Sequence, residues 1–129
     1  MRTAIFIYIL IVHWLLDFVF QTTEEAANKS KSFKVLTSHT QTYAAGWGVF
    51  LIAHFIFNAN FTFDVFTDIS WFIVTTFITH TLIDFFTSKL TAKLFAKQDY
   101  HNFFVVVGFD QILHYLQLWF TFKLFLNYF

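Results

Sequence analysis

The sequence predicts an all-α, polytopic membrane bundle of about four transmembrane helices, and three observations carry that expectation. The chain is 57% hydrophobic and 24% aromatic, with 22 Phe and only 12% charged residues. A soluble domain carries about a quarter charged residues, because it needs a solvated surface. Four apolar runs, at residues 3–20, 39–57, 69–86 and 103–126, approach the roughly 20 residues a helix needs to cross hydrocarbon. The runs are continuous, whereas a membrane β-barrel would show segments of about ten residues alternating apolar and polar. All four fall within one domain, residues 1–129.

Residues 3–20 follow a single Arg2 and have no small-residue cleavage pattern behind them, so they read as a retained first span rather than a signal peptide. A polar loop at 21–38 follows, with Glu24 and Glu25 starting a short amphipathic helix. The second span, 39–57, contains Ala44, Ala45, Gly46 and Gly48, small residues that let membrane helices approach closely. A short connection at 58–68 leads to the third span, 69–86, and a polar loop at 87–102 leads to the fourth.

The basic residues set an orientation. Lys29, Lys31 and Lys34 lie in the first loop and Lys89, Lys93 and Lys97 in the third, while the second loop has Asp64 and Asp68 and no base. The positive-inside rule makes the first and third loops cytoplasmic and turns both termini outward. The zero formal net charge lacks the basic excess that phosphate backbones require, so nucleic acid is not an expected partner. With no Cys, any metal must be held by His and carboxylate.

Three of the spans carry such groups. His13 and Asp17 stand at i, i+4 on the first, with Gln21 a further four residues on, and His80 and Asp84 repeat the pair on the third. The fourth reverses the order, Asp110 then His114, and it runs antiparallel to the other two. On a common depth axis each Asp therefore lies toward the cytoplasmic side and each His about 6 Å deeper, at roughly 1.5 Å per residue. His39 opens the second span at the same face, and Gln111 adjoins Asp110. Asp110 lies further into its span than Asp17 or Asp84 do in theirs, which predicts a tilted fourth helix or an interfacial stretch at 103–108.

A carboxylate at the centre of a membrane helix costs about 2.5–3.5 kcal/mol, so these groups must face one another, a cation or water. Neutral imidazole with carboxylate oxygen suits a divalent metal such as zinc. His13, His80 and His114 are the expected ligands, with Asp17, Asp84 and Asp110 completing the shell or acting as catalytic base. Gln21, Gln111, His39, Lys29 and Lys89 are candidates for substrate or water binding. The bland alternative is that the His and Asp residues hydrogen-bond between helices and fix the register of the bundle. His54, and His101 with Asp99, read as interfacial and loop residues.

HWLLDFV at 13–19 and HTLIDFF at 80–86 share four positions, which suggests two hairpins related as a parallel repeat. HWLLDFVFQ at 13–21, the Lys29 region, His39, HTLIDFFTSK at 80–89 and FDQILH at 109–114 together resemble the small bacterial and phage membrane proteins called domain of unknown function 3307. The likeness covers nearly the whole chain. It implies a multi-pass protein of the bacterial inner membrane and supplies no reaction. Size and His/Asp usage are also similar to small membrane-bound metal-dependent hydrolases, whose motifs do not match here, so no catalytic role is carried over. The resulting expectations are a metal-dependent hydrolase acting on a lipid-like substrate, an ion- or proton-coupled transporter or channel subunit, or a non-catalytic membrane partner. Transport by four helices would require a homo-oligomer.

Overall fold

The structure, a computed structural model, describes residues 2–126, with the side chain of Arg2 excepted. These residues form helices and short turns, with no strand among them. The order is α1 (Arg2–Trp14), a π-helical segment (Leu15–Val19), α2 (Thr23–Asn28), α3 (Phe33–Phe57), α4 (Phe63–Ala96) and α5 (Tyr100–Phe125). Two of them, α4 and α5, are long and apolar enough to cross a membrane. The apolar stretch of the first helix, Thr3–Val19, is shorter. The helix α3 is continuous, but its first part is polar, with Thr37, Ser38, His39, Thr40, Gln41 and Thr42 in succession.

Local sequence explains the helix starts. Thr22 caps α2 through a reciprocal box in which its hydroxyl accepts from the Glu25 amide while the Glu25 carboxylate accepts from the Thr22 amide. This is the short helix expected at Glu24 and Glu25. Ser32 caps α3, Thr62 caps α4 and Asp99 caps α5, each accepting from a backbone amide three residues on. After α3 and α4 the chain turns at Ala59 and Gln98, both with positive φ, 55° and 58°.

The third loop departs from expectation. Residues 87–96, taken as loop because of Thr87, Ser88, Lys89, Thr91 and Lys93, continue α4 without a break, and only a tight turn at 97–99 precedes α5. The depth mismatch at Asp110 disappears with this correction. Asp84 lies twelve residues before the end of α4 at Ala96, and Asp110 ten residues after the start of α5 at Tyr100. The two are level across an antiparallel hairpin.

The heptapeptides at 13–19 and 80–86 adopt different backbones, one passing into a π turn and the other continuing as α-helix. The apolar core occupies one end of the molecule, where Trp47 packs edge-on to Phe72 and Phe122 at centroid distances of 5.7 and 5.4 Å, beside Leu51, Ile69 and Leu118. Gly46 lets α3 approach the π segment closely: a β-carbon there would stand 2.3 Å from a methyl of Leu16. The polar residues lie at the other end.

Candidate metal centre

Four separate elements deliver the polar side chains. Asp17 projects from the π segment, His39 from the second turn of α3, His80 and Asp84 from one face of α4, and Asp110 and His114 from one face of α5. His13, His39, His80 and His114 are buried, as are Asp17 and Asp84, while Asp110 is partly exposed. Thr81 donates to Thr40 at 2.8 Å and ties α4 to α3 beside them.

Asp17, His39, His80 and Asp84 form one group able to hold a metal ion. The Nε2 of His39 lies 3.0 Å from Oδ1 of Asp17 and 3.5 Å from Oδ2 of Asp84. The Nε2 of His80 lies 3.5 and 3.7 Å from the same two oxygens. Four donors bonded at about 2.0–2.1 Å to a tetrahedral ion stand about 3.3–3.4 Å apart, so these separations match the edges of such a shell. Only the 3.0 Å contact is at ordinary hydrogen-bond length. His39 donates to Asp17, but neither ring nitrogen of His80 has a hydrogen-bond partner among the described residues, although the ring is fully buried. A buried polar group left this way costs about 1–3 kcal/mol, which a cation between the carboxylates would remove.

His13 is placed otherwise. Its Nε2 donates to Oε1 of Gln111 at 3.0 Å, and its Nδ1 accepts from the Tyr43 hydroxyl at 2.7 Å. Gln111 in turn donates through Nε2 to Oδ2 of Asp110, also at 3.0 Å. The chain Tyr43–His13–Gln111–Asp110 thus aims a carboxylate, and its directions are forced, because Asp110 can only accept and Gln111 must then turn its oxygen toward His13. Both ring nitrogens of His13 are occupied, so His39 stands in the group where His13 was expected. The Phe20 amide bonds back five residues to Leu15 at 2.8 Å, which widens the turn that carries Asp17, although His13 Nε2 still lies 3.7 Å from Oδ2 of Asp17. Asp17 turns toward α3 and α4 while His13 faces Tyr43 and α5.

A cavity of about 180 Å³ opens beside the cluster, lined by Asp17, Gln21, Lys29, Asp84, Asp110 and Gln111 together with hydroxyl and apolar side chains. Lys29, at the end of α2, reaches over it and donates to Asp84 Oδ2 at 2.8 Å. Burial works against this ammonium, yet Asp84, Asp17 and Asp110 outweigh it and hold its pKa above the ordinary lysine value. Gln21 donates to Nδ1 of His39 at 3.4 Å. Lys89 does not line the cavity; its ammonium sits over the Phe85 ring, 3.5 Å from the centroid. Sequence reasoning did not single out Tyr43 or Thr87, which donates to Asp110 Oδ1 at 2.6 Å. Thr87 fell in the presumed loop, and Tyr43 looks like any aromatic of an apolar span.

A family model described as Protein of unknown function (DUF3307) matches residues 5–128. The chain belongs to this family. No curated protein and no solved structure matches it. In this DUF3307 chain the match takes in every residue of the His/Asp cluster and of the cavity. The arrangement itself holds the chemistry: carboxylates that line a small cavity overlooked by an amine, backed by buried imidazoles.

Proposed function

We propose that this is an integral membrane protein of the bacterial inner membrane whose Asp17, His39, His80 and Asp84 hold a divalent metal ion, zinc in the first instance, and hydrolyse an anionic, lipid-like substrate. The observation that carries the reading is His80: a fully buried imidazole with no hydrogen-bond partner among the described residues, its Nε2 3.5 and 3.7 Å from two carboxylates. A purely structural His/Asp network would give that nitrogen a bond.

The membrane setting rests on an inverted distribution of polarity. Thirty large apolar side chains among the described residues stand exposed, Phe57, Phe63 and Phe104 among them, while His13, His39, His80, His114, Asp17 and Asp84 are buried. The apolar windows of α4 and α5 are only 28% and 11% buried, unlike the core helix of a soluble protein. The lysines at 29–34 and 89–97 support a cytoplasmic position for that end of the bundle.

An ion in this group supplies Lewis acidity toward water and a substrate oxygen. The chain's own residues do the rest. Gln21 fixes the His39 ring through Nδ1, and by turning its amide it can accept from that nitrogen when Nε2 binds an ion. Lys29 attracts the anionic group and holds it at the cavity mouth. Asp110, partly exposed and lining the cavity, offers a carboxylate that can accept a hydrogen bond from water there.

Elemental analysis of the protein purified in lipid nanodiscs tests the metal reading. We expect retained divalent metal in the wild type and its loss in His80→Ala with unchanged helicity. A folded wild type that retains no metal after supply of zinc, manganese or iron overturns it.

A further inference from the structure

Asp84 faces two sets of donors with its two oxygens. Oδ2 belongs to the group with Asp17, His39 and His80. Oδ1 lies 3.1 Å from Nε2 of His114, which lies 3.4 Å from Oδ1 of Asp110. Asp84, Asp110 and His114 form a second group able to hold a metal ion, and the carboxylate of Asp84 is common to both. We propose that the centre is dinuclear, with Asp84 bridging two divalent cations, one oxygen to each.

Three features of the site support a second ion. The rings of His80 and His114 lie nearly parallel, with centroids 4.2 Å apart and planes at 29°. Each ring turns its Nε2 toward its own group, so two ions held there would be neighbours, as in two-metal hydrolytic sites with ions roughly 3.5–4 Å apart. Asp110 is fixed as a ligand from both sides: Thr87 donates to Oδ1, and the chain from His13 through Gln111 donates to Oδ2. Supporting bonds of this kind are what orient metal-bound carboxylates. Finally, the second group borders the cavity, whose lining includes Asp84, Asp110, Gln111 and Lys29. Two divalent cations outweigh the three carboxylates, and with Lys29 they make the cavity a receptor for a doubly charged anion such as a phosphate ester. In that arrangement one ion orients water and the other the leaving oxygen.

The inference rests on the metal reading above but can fail separately from it. Manganese is added to metal-stripped protein in nanodiscs, and the ions retained per chain are counted. We expect two, falling to one in His114→Ala and in Asp110→Asn. The electron paramagnetic resonance spectrum of the loaded wild type needs no variant to fold, and it should show exchange coupling between paired ions. One ion per chain with the spectrum of isolated manganese overturns the dinuclear centre and leaves the single site standing. No retained ion overturns both.

Discussion

His13 and His39 have exchanged the places their sequence positions suggested, and the exchange separates two kinds of loss. His39 offers Nε2 to Asp17 and Asp84, whereas both nitrogens of His13 are used to hold Tyr43 and Gln111. Replacing His13 by Ala strands a buried hydroxyl and an amide oxygen, a cost of about 1–3 kcal/mol for each group left unpaired. Metal retained at the Asp17 group should persist. Replacing His39 by Ala should instead abolish metal retention with a smaller fall in thermal stability. Elemental analysis and melting of the two variants in the same nanodiscs check this, and equal metal loss in both would return His13 to the ligand set. The residue types of the site were legible because lone carboxylates in an apolar helix demand partners. Which His faces which partner was not, since that is set by Tyr43 and Gln111, which reach His13 from α3 and α5 over 30 and 98 residues of sequence.

At the scale of elements, the approach of α3 to the π segment depends on the missing side chain at Gly46. Gly46→Val should cost about 1–3 kcal/mol through overpacking against Leu16. It should also reduce metal affinity, because Asp17 adjoins Leu16 and moves with it. Thermal unfolding and metal titration of the variant, compared with Gly108→Val, whose β-carbon would meet nothing within 4 Å, give the measurement and its control. The helices were legible from their apolar runs, and α2 from its capping residues. The extension of α4 is obscured by its Thr, Ser and Lys content, which resembles a loop. The signal for helix is the pair of lysines four apart at 89 and 93, with Lys97 as the cap. That spacing places them along one helix face, which a loop has no reason to do.

For the whole molecule, the tight turns at 58–62 and 97–99 lie at opposite ends of α4. If the bundle spans a membrane, these turns emerge on different sides of it. The chain has no native Cys, so single cysteines at Asn60→Cys and His101→Cys report without background. A membrane-impermeant maleimide applied to intact cells should modify the first and not the second, and permeabilised cells should show both modified. Labelling of both in intact cells would remove the orientation, and recovery of the chain in the soluble fraction would remove the membrane setting. The inverted polarity that motivates this experiment was visible in composition alone, since 12% charged residues cannot cover a molecule of this size.

The donors of the first group come from the π segment, α3 and α4, while those of the second lie within the α4–α5 hairpin, and Asp84 belongs to both. During synthesis the first half of the chain presents only Asp17 and His39, a pair too sparse to capture an ion. The first group is completed when α4 docks, and the second only when α5 follows. An ion bound in the first group would fasten three separately threaded segments at one point, and its release would loosen all of them together.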